Sequence, residues 1–119
     1  MMKANYEELE DMSRYSTTET KIGTWINGKT IYRKVITGTI NSGLNTIPIN
    51  ASYDDVWVDL GHSFIKGSNR VTPLARADYR SENYSVGAVI DVSGNQIFVI
   101  TGTDSSLAGT AYITIEYTR

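Results

Sequence analysis

The sequence predicts an all-β domain, an antiparallel β-sandwich of jelly-roll-like type, preceded by a short N-terminal arm or helix. Three observations predict it. The composition favours strands: eight Tyr, two Trp, many Thr, Ile and Val, and ten Gly against two Pro. Apolar residues alternate with period two in several runs, as half-buried strands require. Clusters of Gly, Asn, Asp and Ser separate those runs at short intervals, which is the spacing of a sandwich.

Residues 1–20 form a separate acidic region. They carry a net charge of −3, whereas residues 21–119, the predicted β-sandwich domain, carry +1. Tyr6, Leu9 and Met12 or Ser13 fall at helical spacing, and Glu7, Glu8, Glu10 and Asp11 lie early, where a helix dipole favours them. A lone helix of this length is marginal in water. The region therefore reads either as an acidic arm or as a helix packed on the domain or joined to a stalk. Residues 15–20 read as a polar connector.

Asn27-Gly28 is flanked by β-branched and aromatic residues and predicts a two-residue type I′ hairpin with arms over 22–26 and 29–37. That register would bring Trp25 close to Ile31 or Tyr32, with Trp25 expected in the core. Leu44–Ile49 alternates, but Pro48 lacks an amide donor and confines the run to a sheet edge or a strand start. In 56–60, Val56, Val58 and Leu60 share one face and Trp57 and Asp59 the other. The strand is expected to continue through 61–66 after a bulge at Gly61. Residues 70–75 predict a strand broken by Pro73, and 76–83 a surface loop.

Tyr84, Val86, Ala88, Ile90 and Val92 share one face of the next strand. Ser93-Gly94-Asn95 turns the chain into a strand over 96–101. Residues 102–109 form a loop, and 110–118 the last strand, with Ala111, Ile113, Ile115 and Tyr117 on one face. Seven or eight strands result. Runs such as Ile97–Ile100 and Val56–Val58 are apolar or aromatic on both faces, so one face is covered by loops or by another subunit.

Two stretches carry a family resemblance. The opening Gly-Thr-Trp-Ile-Asn-Gly-Lys-Thr-Ile-Tyr-Arg-Lys of residues 23–34 and the closing Ala-Gly-Thr-Ala-Tyr-Ile-Thr-Ile-Glu-Tyr-Thr-Arg of 108–119 resemble the two ends of a small domain. That domain recurs at the C-terminus of bacteriophage and prophage tail, baseplate or head-fibre proteins. The resemblance covers 22–119 in outline and is specific at its two ends. It implies a module at the virion surface, a homotrimer in contact with other virion proteins, and brings no catalytic residues with it. The chain has no cysteine, which suits a particle protein made in a reducing host cytoplasm. No signal peptide is legible and no run is long enough for membrane insertion.

The net charge of −2 with mixed signs leaves no basic face for nucleic acid. His62 is the single histidine and, with no cysteine, completes no metal site. Asp54 and Asp55 are adjacent, so their side chains diverge and cannot flank a glycosidic bond. None of the glycines opens a helix after a strand as a phosphate-binding loop does. No enzyme, metal or cofactor is expected. Aromatic recognition remains. Tyr and Trp offer flat faces with polar tips, onto which sugar rings stack while Asp and Arg pair with their hydroxyls. Tyr53, Asp55 and Trp57, and the loop residues Asp78, Tyr79 and Arg80, are the candidate ligand-binding residues. The expected function is binding of a host cell-surface glycan or similar receptor by a trimeric fibre module. The alternative is a purely structural module that trimerises or attaches a fibre and has no ligand of its own.

Overall fold

The computed structural model describes residues 15–74 and 85–119. The proposed helical stripe in 1–14 and the loop 76–83 with Tyr84 lie outside them. Two antiparallel sheets pack face to face, as the sequence predicts. Strands β1 (Thr20–Thr24), β2 (Thr30–Ile40), β4 (Val56–Val58), β5 (Phe64–Lys66), β6 (Val71–Pro73) and β9 (Gly109–Thr118) form the larger sheet. Strands β3 (Gly43–Pro48), β7 (Val86–Asp91) and β8 (Gln96–Thr101) form the smaller one, in the order β3-β8-β7. These are nine strands among the described residues, more than the alternation resolves, because β4, β5 and β6 have three residues each.

The organising element is β9. It pairs with β2 along its whole length, from Ile31 opposite Thr118 to Ile40 opposite Gly109. Its other edge takes β4 along 115–117 and β5 along 110–112. Ala111, Ile113, Ile115 and Tyr117 are all buried on the inner face, against Ile36 and Ile40 of β2 and Ile47, Val86, Ile97 and Val99 of the smaller sheet. Ile49, Leu74 and Leu107, from connecting segments, complete the same core.

The first hairpin differs from expectation. Gly28 has φ +85° and Asn27 stays out of the left-handed region. The Gly28 amide donates to the Trp25 carbonyl at 2.9 Å, and the Trp25 amide to the Lys29 carbonyl at 2.8 Å. This is a three-residue loop closed by a left-handed glycine, rather than a type I′ pair with two left-handed residues. The Asn27 side chain instead accepts from the Lys29 amide at 3.1 Å. An irregularity between Lys21 and Gly23 shifts the register, so Gly23 faces Ile31 and Thr24 faces Thr30. Trp25 lies beyond both pairs, away from Tyr32. The β7–β8 turn uses a similar device, with Asn95 at φ 52° and its amide bonded to the Val92 carbonyl at 3.2 Å. The Asp91 carboxylate braces that turn, and hydrogen bonds from Gln96, Ser93 and the Gly94 amide hold its pKa below the ordinary value.

Pro48 ends β3 at the edge of the smaller sheet, and Pro73 ends β6 at the edge of the larger one. Neither position requires a donor. The expected bulge at Gly61 is a short 3-10 turn, Leu60–His62, that separates β4 from β5 along the same edge of β9. Asp59 caps it, its Oδ1 accepting from the Gly61 amide at 3.2 Å. The turn breaks the ladder opposite Thr114. Ser63 Oγ then accepts from the Thr114 amide at 2.9 Å, and the Asp59 amide donates to the Thr114 carbonyl at 2.9 Å.

Candidate functional site

Alternation along β2 and β9 fixes what the outer face of the larger sheet displays. With Ile36, Ile113 and Ile115 directed inward, Arg33, Val35, Thr37, Tyr112, Thr114 and Glu116 are directed outward. The register sets Trp57 opposite Glu116 and Phe64 opposite Tyr112, which puts both aromatics on this face too. Phe64 and Tyr112 stack with ring centroids 5.2 Å apart.

The chain before β1 lies along the free edge of β2. The Ser16 carbonyl accepts from the Val35 amide at 2.8 Å. This contact places Tyr15 over the outer face. Its ring stacks on His62 at 4.9 Å, and the Arg33 guanidinium sits 4.4 Å from its centroid. His62 is in turn held by its Nδ1, 2.8 Å from Asp59 Oδ2. Residues 15–20, expected to be a polar connector, thus supply one wall of a groove.

The groove has a volume of about 470 Å³. Val35, Thr37, Thr114, Phe64 and Tyr112 form its floor, and Tyr15 to Thr17 and Gly61-His62 its sides. Its surface is mostly apolar, with hydroxyl groups distributed along it. Such a surface stacks on flat faces carrying C–H groups and meets attached polar groups at a few points.

Beside the groove, Trp25 and Trp57 pack with centroids 4.6 Å apart. Trp25 is 37% exposed, so the core placement expected for it does not hold. The hairpin carries it onto the outer face, where Trp57 supplies the apolar contact that the core would have given. Glu116 anchors this end. Its Oε1 accepts from Trp57 Nε1 at 3.0 Å, and its Oε2 from Arg33 Nε and Nη2 at 3.2 and 3.1 Å. The pair is largely shielded from water, so both hydrogen bonds are made at low local dielectric. Glu116→Ala removes the acceptor of the indole and of the guanidinium fork together. It is expected to destabilise the fold by about 2 kcal/mol, read from urea unfolding, with a change in Trp fluorescence of the native state.

Of the sequence-predicted binding residues, the three that are described, Tyr53, Asp55 and Trp57, do not converge on one site. Trp57 is on the outer face. Tyr53 packs against the core on the other side of the sheet, its hydroxyl buried without a hydrogen-bond partner among the described residues. Asp55 is exposed, and its backbone rather than its carboxylate is engaged: its carbonyl accepts from the Thr118 amide at 2.9 Å and its amide donates to Thr118 Oγ1. Asp54 pairs with Lys29. Asp78, Tyr79 and Arg80 lie outside the described residues. The groove residues Tyr15, Phe64 and Tyr112 escape the sequence reading because each is an ordinary strand or linker aromatic in isolation. The signal that was available is the excess of aromatic residues on the non-core face of the strands. Among the described residues, no group of three or more His, Asp or Glu is placed to hold a metal ion, and no helix is long and apolar enough to cross a membrane.

No family model, curated protein or solved structure matches the chain.

Proposed function

We propose that the domain is an appendage module of a phage virion that binds a glycan of the host cell surface in the groove on the outer face of the larger sheet. The observation that carries this reading is the groove itself: Tyr15, His62, Phe64 and Tyr112 present aromatic faces along one concave surface. The opening and closing motifs supply the virion context by resemblance. A homotrimer would present three such grooves. Linking weak sites raises avidity by orders of magnitude when all can engage one surface.

The experiment is a glycan array followed by titration of the best ligand, together with the mass of the full chain by light scattering. Tyr15→Ala removes one wall and no core contact. It is expected to weaken glycan binding about tenfold, as loss of one aromatic stacking partner should. A chain that binds no glycan, or a variant that binds as well as the parent, would sink the groove reading. A monomeric mass would remove the avidity argument.

The second reading, a structural module that trimerises without a ligand, is favoured by the smaller sheet. Its outer face aligns Leu44 with Ile100 and Thr46 with Phe98 and Val89, and Leu44, Val89 and Ile100 are exposed. Three strands about 4.8 Å apart and five residues at about 3.3 Å each make a patch of about 240 Å². A stable interface needs about 800 Å² per partner. This face alone is too small for a stable interface, which leaves the glycan reading ahead.

A further inference from the structure

A second cleft, polar where the groove is apolar, opens at the rim of the sandwich. It has a volume of about 460 Å³ and lies at the end of the smaller sheet where β3 finishes and β7 turns into β8. Lys34 and Tyr117, from the inner faces of β2 and β9, line one side. The segment after β3 and the β7–β8 turn form the other, tied together by the Ile49 amide donating to the Asn95 carbonyl at 3.0 Å.

Lys34 is the unusual group. Its ammonium donates to the Asn50 carbonyl at 2.8 Å. Among the described residues no carboxylate comes within ion-pairing distance of it. Burial pulls its pKa down, and the more distant Glu19 offsets this only in part. Glu19 is itself committed elsewhere: its two oxygens accept from the Tyr117 hydroxyl and, at 2.7 Å, from Arg119 Nη2. Burial and Glu19 keep that phenol neutral, so it remains a donor. Among its lining side chains the cleft thus has one carboxylate, already bonded to Tyr117 and Arg119, and a second cation, Lys34, that it does not pair. A partly desolvated ammonium with a neutral acceptor and open space beside it gains most from an anion.

The ligand's other chemistry follows from the opposite wall. Asn50 and Asn95 line the cleft, both with a left-handed backbone, φ 55° and 52°. Ser52 and Thr17 add hydroxyls. Carboxamides and hydroxyls both donate and accept, which is what sugar hydroxyls require. We propose that this cleft binds the carboxylate of an acidic sugar, a hexuronate, with Lys34 pairing the carboxylate and Asn50, Asn95 and Ser52 meeting the ring hydroxyls. The inference rests on the glycan reading of the groove and extends it. Thr17 lines both sites, so an acidic oligosaccharide that crosses Thr17 engages the two together.

Amide chemical shifts of the full chain, followed in titrations with glucuronate, glucose and inorganic phosphate, test this directly. Glucuronate is expected to shift the amides of Lys34, Asn50 and Asn95, while glucose at the same concentration leaves them in place. Lys34→Gln should weaken glucuronate about tenfold, the loss of one desolvated charge-assisted bond, and Lys34→Arg should restore most of it. Equal shifts with glucose, no shifts with glucuronate, or phosphate binding as tightly as glucuronate would overturn the proposal, the last by showing a plain anion site. Failure here is separable from failure of the groove. Tyr15→Ala reports on the groove and leaves these shifts unchanged, and Lys34→Gln leaves binding of neutral glycans unchanged.

Discussion

Ile113→Ala is expected to lower the free energy of unfolding by about 4 kcal/mol. Ile113 is 0% exposed and sits in the middle of β9, opposite Ile36 of β2. It faces the smaller sheet, where Ile97 and Val99 are equally buried. Truncation removes three carbons from a site fixed from several directions at once. β9 is hydrogen-bonded on both edges, so the backbone cannot move inward to close the cavity. The transfer loss and the cavity term therefore both apply. Urea unfolding measures the change as a lower midpoint at constant slope. A cost below about 1.5 kcal/mol would show that the two sheets collapse around the gap. Val89→Ala, on the exposed outer face of β7, is the control and should cost under about 0.5 kcal/mol.

Gly109→Ala is expected to cost about 3 kcal/mol for a different reason. A Cβ at this position would lie 2.2 Å from the Lys66 carbonyl oxygen, 2.7 Å from its carbon and 2.9 Å from the Gly67 Cα. All three are backbone atoms, so no rotamer change relieves the clash. Either the end of β5 or the start of β9 must move, and those strands are paired through Lys66 and Thr110. Overpacking at a site that cannot yield costs more than it does in a soft region of a core. Gly23→Ala separates this from a general glycine effect. Nothing lies within 4 Å of a Cβ at Gly23, and its φ is outside the left-handed region. That variant should therefore be close to neutral in thermal unfolding. Similar melting temperatures for the two variants would sink the close-approach argument.

The legible part of the site was small. Alternation puts Trp57 on the face opposite Val56 and Val58, and that is where it lies. Tyr53 is close to it in sequence, yet the turn between them sends Tyr53 to the core. Tyr15 meets His62 only because the segment before β1 runs along the edge of β2. That contact joins residues far apart in the chain, and no local pattern encodes it. Trp25 is apolar and precedes a tight turn, which reads as a core position. Its actual contact, Trp57, comes from a strand that reaches it across β2 and β9.

The sequence by itself determined the class of fold and which residues of the last strand share a face. A side-chain period of two leaves little freedom once Ala111, Ile113, Ile115 and Tyr117 align. It also placed Pro48 on an edge strand, since a residue without an amide donor cannot occupy a central strand. The tertiary structure alone decided that β9 is the centre, that β4 and β5 share one of its edges, and that the aromatic residues left outside the core converge on a single face. Alternation assigns a residue to one side of its own strand. Which side of the sheet is covered, and what is brought to the side left open, depends on pairings between distant segments, and those are fixed only when the two sheets close on a common core.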